Sequence, residues 1–387
     1  MMNMKTPKLN LDVKLPKSLQ QKLTQRGSEG CLRSLNSVDP LLVDFSSNDY
    51  LGLSNQKIIS DLAYEKLKQY SCQLNGATGS RLLSGNYKMI ENFEVYLSHY
   101  YKPEASTVFN SGYDANLGLL SSVAQRQDLI LYDELSHASI REGIALSKAK
   151  AYKFQHNNLT DLEAKLSKFN EQFETIYVIT EQVFSMDGDQ ADVTTILDLC
   201  NYFGAYFILD EAHSVGVLNR NGRSDLSSQI FARIVTFGKA FGSHGAAVLG
   251  SRDLKDYLIN FAKSFIYTTA PSPETTARNW AAHEYLEQNL KEIDKLNFNI
   301  DFFQTQIESQ KLTDYFIKSQ SAIQSCIISG NDNVKLTSNQ LQQKGFDVRP
   351  ILSPTVPQGK ERLRFCLHAF NTEDEIKAAL GQLSQFL

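Results

Sequence analysis

Lys239 stands in the turn Gly238-Lys-Ala-Phe-Gly242, between two hydrophobic runs, Ile234–Phe237 and Ala246–Leu249. A lysine held at the end of a buried strand is partly desolvated, which lowers its pKa and frees its amine as a nucleophile. A lysine that lays its stem on apolar surface and keeps its ammonium in water has the same local sequence. Thr236, three residues earlier, is placed to aim a hydroxyl at the same spot. Asp210 closes the apolar run Ala205–Leu209 and begins Asp-Glu-Ala-His213; taken alone it reads as a helix cap or a salt-bridged strand end. Ser111-Gly112-Tyr113 follows the run Ser106–Asn110 and opens a helical pattern. Free N–H groups at a helix start suit a phosphate.

Short apolar runs alternating with helical patterns supply the frame. Strands are expected at Ser106–Asn110, Asp128–Asp133, Ala151–Phe154, Thr175–Thr180, Ala205–Leu209, Ile234–Phe237 and Ala246–Leu249. Helices are expected over Tyr113–Gln125 and Ser136–Lys148, from a Thr160/Glu163 capping box, and from Asp192 to Gly204. Near-continuous apolar runs suit a parallel sheet covered on both faces, so the pattern predicts an α/β, doubly wound architecture. Ligands of such sheets sit beyond the carboxyl ends of the strands. Ser111, Gly112, Ser136, His137, Glu181, Ser185, Asp210, His213 and Lys239 all follow such ends and are expected to share one crevice. Amine, carboxylate, phosphate turn and imidazole together are what pyridoxal 5′-phosphate requires: the amine bonds its aldehyde and the acid keeps its ring nitrogen protonated.

Past Pro273 the texture changes to one long helix from Ser272 towards Gln310. A strand Ile323–Ile328, a helix Val334–Lys344, a strand Arg362–His368 and a last helix with a Thr372/Glu375 capping box follow. This predicts a large cofactor-binding domain over 46–280 and a small α+β domain over 281–387, with segment 1–45 packed against the small one. The 387 residues are 42% apolar and 21% charged with a net charge of −4, which excludes a disordered chain and argues against a polyanion-binding protein. Five scattered cysteines, with no metal-ligand spacing, read as reduced thiols in a cytoplasmic protein. No run nears the ~18 apolar residues of a membrane span, and Met1–Pro16 lacks an apolar signal core. No metal, nucleic acid or membrane is expected as a partner.

Several blocks carry a family resemblance: Phe45-Ser-Ser-Asn-Asp-Tyr-Leu-Gly-Leu53, Gly79-Ser-Arg-Leu-Leu-Ser-Gly85, Leu135-Ser-His-Ala-Ser139, Thr180-Glu-Gln-Val-Phe-Ser-Met-Asp-Gly188, Asp210-Glu-Ala-His213, Thr236-Phe-Gly-Lys-Ala-Phe-Gly242 and Pro354-Thr-Val-Pro-Gln-Gly359. In this order, over nearly the whole chain, they resemble the α-oxoamine synthases, fold-type I pyridoxal-phosphate transferases. The resemblance implies an aspartate-aminotransferase-like fold with a mostly parallel seven-stranded sheet, and a homodimer. It implies that Lys239 bonds the cofactor and moves the Cα proton, that Asp210 pairs with the ring nitrogen, and that His137 stacks on the ring. Ser185 and His213 are implied at the ring and its 3-hydroxyl, Gly112, Tyr113 and Thr236 at the cofactor and its phosphate, and Thr268 and Thr269 at the phosphate of a partner subunit. Arg364, helped by Asn48, is implied to grip the amino-acid carboxylate; Thr355 and Arg33 are implied to meet substrate, Arg33 the acyl group. The wording of the blocks favours the biotin-pathway branch that condenses L-alanine with pimeloyl-CoA or pimeloyl-acyl carrier protein, over sisters that use glycine or serine. A nicotinamide dehydrogenase needs a Gly-rich turn straight after a strand with an acid about 20 residues on, and none is present. A non-catalytic protein of this fold is the remaining alternative, opposed by Lys239, Asp210 and His137 occurring together.

Overall fold

The computed structural model describes residues 15–35, 37–73, 76–218 and 229–387. Each apolar run expected as a strand in the first part of the chain forms one. In chain order the strands are β1 (Val43–Asp44), β2 (Ala105–Phe109), β3 (Leu129–Asp133), β4 (Lys150–Phe154), β5 (Ile176–Glu181), β6 (Tyr206–Asp210), β7 (Ala232–Thr236), β8 (Ala246–Gly250), β9 (Ile323–Ile327), β10 (Phe346–Asp347), β11 (Arg349–Ile351) and β12 (Arg362–Cys366). The main helices are α1 (Lys17–Ser28), α2 (Lys57–Gln69), α3 (Lys88–Tyr101), α4 (Gly112–Val123), α5 (Ala138–Leu146), α6 (Leu159–Phe169), α7 (Val193–Phe203), α8 (Arg252–Phe261), α9 (Lys263–Ile266), α10 (Pro273–Gln288), α11 (Lys291–Ser309), α12 (Asn331–Gln343) and α13 (Glu373–Leu383).

The seven-stranded sheet runs β2-β8-β7-β6-β5-β3-β4. Only β8 opposes its neighbours, pairing antiparallel with β2 and β7; the other pairs are parallel. Alternate residues serve opposite faces. Ile130, Ile179, Ile208 and Ile234 meet the apolar faces of α4, α5 and α8, whereas Leu131, Val178 and Leu209 meet those of α6 and α7. Val235, Ala247 and Leu249 join a third cluster with α3 and α10. Burying one such aliphatic side chain stabilises by about 1.5–3 kcal/mol, so a register slip of one residue, which would swap the faces, is strongly disfavoured.

Two local expectations are corrected. The helix expected from a Thr160/Glu163 box begins earlier, at Leu159, with the Asn158 side chain accepting from the Asp161 N–H. Asn158 is as good a cap as threonine and lies at the position that starts the helix. The long helix expected from Ser272 is two helices. Ser272 caps α10 and Pro273 takes its first position, but the chain is extended at Asn289, whose amide donates to the Tyr285 carbonyl and takes the place of a backbone donor there.

A three-stranded antiparallel sheet, β11-β12-β9, stands beside the large sheet. β1 pairs with β10, and the Phe45 carbonyl accepts from Cys366 N–H. Residues 1–14 of the N-terminal segment lie outside the described residues, and α1 buries none of its own. The segment 185–189 ties the sheets together: Ser325 donates to the Met186 carbonyl, and Ser319 and Ser321 to that of Gly188. The cysteines are free thiols. Among the described residues no helix is long and apolar enough to cross a membrane.

Candidate active site

A cavity of about 260 Å³ opens beyond the carboxyl ends of the parallel strands. β2 and the start of α4 bring Ser111, Gly112 and Tyr113 to it; β3 brings His137, β5 Glu181, β6 Asp210 and His213, and β7 Thr236 and Lys239. The expected convergence is therefore real for these residues. Ser185 does not line this cavity; its carbonyl accepts from Arg364 Nη1 at 2.9 Å. Arg364 and Asn48 also lie outside the lining, joined by a 2.8 Å hydrogen bond from Nη2 to Oδ1. They connect to it through Tyr50, whose hydroxyl donates to Asn48 Oδ1 and lies 2.7 Å from His213 Nδ1. Thr268 and Thr269 stand apart from the cavity, where Asn110 donates to the Thr268 hydroxyl and the Thr269 carbonyl. Arg33 and Thr355, far apart in sequence, meet at 3.4 Å, both exposed and neither in the cavity lining.

The charges in the cavity are few and crowded. Burial drives the Lys239 ammonium down to about 8, against the pull of Asp210 and Glu181. Burial also pushes the Glu181 carboxyl up, and the charge of Asp210 adds to it. One Glu181 oxygen accepts from the backbone N–H of His137 at 2.6 Å. His213 is held neutral by burial, by Lys239 and by Arg364. Asp210 has both oxygens engaged, one with Ala212 N–H at 2.9 Å and the other with Asn116 Nδ2 at 2.8 Å.

Asn116, Ser139 and Tyr50 belong to this network, and sequence reasoning did not select them. Asn116 had a signal: it is a lone amide on the buried face of α4, among Ala115, Leu119, Leu120 and Val123. Tyr50 lies inside the block Phe45–Leu53, where nothing in the sequence marks it out from its neighbours.

The donor set fits pyridoxal phosphate. Ser111 caps the twelve-residue α4 by accepting from Asp114 N–H, so the first N–H groups of that helix are left for a phosphate. A Cβ at Gly112 would come within 2.7 Å of Thr236 Cγ2, so only glycine keeps that approach open. A depressed amine and a doubly hydrogen-bonded carboxylate complete the set.

Comparison with known proteins agrees. The family model for class I and II aminotransferases matches residues 41–383. The chain is 38% identical to the 8-amino-7-oxononanoate synthase of Emericella nidulans over 392 residues, covering 96% of this chain and 95% of that one. The structure of 8-amino-7-oxononanoate synthase from Francisella tularensis superposes with a TM-score of 0.74 at 29% identity, over 90% of this chain and 98% of that one. A Sphingomonas wittichii serine palmitoyltransferase shares the fold, with a TM-score of 0.84 at 23% identity over 95% of this chain and 96% of that one. The chain thus belongs to the class I and II aminotransferase family and, within it, to the α-oxoamine synthases, pyridoxal-phosphate-dependent acyltransferases like 8-amino-7-oxononanoate synthase.

Proposed function

We propose that this enzyme condenses L-alanine with a pimeloyl thioester, on CoA or acyl carrier protein, releasing CO2, the free thiol and 8-amino-7-oxononanoate. The observation that carries the reading is the meeting of Lys239, Asp210, Glu181 and His137 in one buried cavity, in a chain so similar to synthases of that name. When bound, pyridoxal phosphate supplies an aldehyde and an electron-withdrawing ring. Lys239 would bond the aldehyde, then, displaced by the amino acid, hold the proton taken from its Cα; its depressed pKa leaves it free to do so near neutrality. Asp210 would keep a proton on the ring nitrogen, and His137 would cover the ring. Gly112, Tyr113 and Thr236 would hold the phosphate, with Thr268 and Thr269 serving the partner's in a homodimer. Ser185 and His213 would meet the 3-hydroxyl. Arg364, steadied by Asn48, would bind the amino-acid carboxylate through its planar fork, and Arg33 and Thr355 would border the acyl path. Residues 46–280 would form the cofactor-binding domain and 281–387 the small one.

A matrix of alanine, glycine and serine against pimeloyl, acetyl, succinyl and palmitoyl thioesters tests this, read by thiol release and product mass. Alanine with a pimeloyl thioester is expected to be turned over fastest. Faster turnover of any other pair overturns the substrate assignment, and no thiol release from any pair overturns the reaction.

A further inference from the structure

One chain of hydrogen bonds in the cavity wall joins two residues of the proposed reaction through two that the reaction as described does not use. It runs from Asp210 at the end of β6, through Asn116 in α4, to Ser139 and His137, which share the start of α5. Asn116 is 2% exposed and Ser139 1%. A fixed acceptor at one end, the Asp210 carboxylate, and a fixed donor at the other, the Ser139 backbone N–H, set the direction of the chain. A carboxylate accepts, so the Asn116 nitrogen, not its oxygen, faces Asp210 Oδ2 at 2.8 Å. The same nitrogen lies 3.0 Å from Ser139 Oγ, so Ser139 accepts there. The hydroxyl hydrogen of Ser139 is then free for His137 Nδ1, 2.8 Å away. The Ser139 backbone N–H also points at Nδ1, at 3.2 Å. Nδ1 therefore faces only donors. Asn116 Oδ1 finds no partner, which is the cost of this orientation.

We infer that Asn116 and Ser139 are positioning residues that lock His137 as the neutral tautomer with its proton on Nε2, and that Asn116 in the same stroke fixes the carboxylate of Asp210. Protonating Nδ1 would set its hydrogen against the Ser139 N–H and strand the serine hydroxyl hydrogen. The surrounding charges are mixed. Burial disfavours the imidazolium, Asp210 favours it, and Lys239 and Arg141 oppose it. Glu181 meets only the His137 backbone N–H, and His213 is neutral. Burial and charge together favour the neutral ring, and the hydrogen-bond chain settles which nitrogen keeps the proton. The two halves of the cofactor pocket, the imidazole and the acid, are held in register by one amide.

The inference rests on the reading of this cavity as the reaction centre, but its test reads the same whichever acyl thioester is accepted. Holoenzyme labelled with ¹⁵N-histidine is followed by NMR from pH 5 to 9, with the His137 signals identified by their loss in His137→Asn. The native protein is expected to show a neutral Nε2–H ring at pH 7. Ser139→Ala is expected to raise the His137 titration midpoint by about one pH unit, and Ser139→Thr, which keeps the hydroxyl, to restore it. Asn116→Ala is expected to do the same and, unlike Ser139→Ala, to shift the pH midpoint of the bound cofactor's visible absorbance. An Nδ1–H ring or an imidazolium at pH 7 in the native protein overturns the inference. So does an unchanged His137 midpoint in a Ser139→Ala protein that melts cooperatively. An unchanged absorbance midpoint in Asn116→Ala removes Asp210 from the chain.

Discussion

Two groups of buried charge end neighbouring strands of the same sheet and are treated in opposite ways. At the ends of β5, β6 and β7, Glu181, Asp210 and Lys239 share a cavity in which burial drives the amine down and the Glu181 carboxyl up, so those two are pushed towards their neutral forms. Beyond the ends of β3 and β4, His156 lies between two carboxylates, with Nδ1 2.9 Å from Asp133 and Nε2 2.7 Å from Asp189. Burial pulls its pKa down, but the two acids outweigh that and raise it to about 10. Asp187 beside it is tied to Arg362. His156, Asp187 and Asp189 have donor atoms close enough for a metal, yet both histidine nitrogens face a carboxylate, so the group reads as an ion-pair network. The lesson is that a charge paired with an opposite charge at hydrogen-bond distance holds structure together, whereas one held by neutral donors or by burial is available for chemistry.

Replacing each cluster's central base separates the two. Lys239→Ala is expected to lower turnover by at least about 10³-fold while the cofactor-free protein keeps a cooperative melt; a purified variant with normal activity would sink the catalytic assignment. His156→Gln is expected to do the reverse. It should cost about 1–3 kcal/mol of stability, below the full price of breaking a buried pair because the side chain is 21% exposed, and leave kcat within a few-fold. The pH dependence gives its sign. The folded-state pKa lies above the ordinary 6.5, so the stabilisation is full below about pH 6.5 and is lost as pH rises through about 10. The gap in urea midpoint between native protein and variant should therefore shrink from pH 6 to pH 10; a gap that widens contradicts the ion-pair reading. The smallest effect touches neither cluster. Asn158→Ala should cost about 1 kcal/mol in the melt and Thr160→Ala clearly less, with activity unchanged in both; the opposite ranking would return the helix start to Thr160.

The seven strands of the large sheet were legible because each is a short apolar run bounded by polar or turn residues, and alternation with helices leaves little choice of topology. Glu181 and Lys239 were visible as polar residues at strand ends. The Asn158 cap and the break at Asn289 were not, since several nearby residues cap equally well and a side chain that competes with the backbone leaves no periodic mark. The Asn116 amide, though a polar intrusion on an apolar helix face, gains its meaning only from Asp210 and Ser139, which come from other elements.

By itself, then, the order of residues determined the sheet, its layers and which strand ends carry reactive groups, because periodicity and strand-end chemistry are local. Only the tertiary structure decided that Ser185 offers Arg364 its carbonyl, that Arg33 meets Thr355, and that Asn116 points its nitrogen at Asp210. Hydrogen-bond direction and the desolvation of a charge depend on what lies opposite, and what lies opposite is set by packing between segments far apart along the chain.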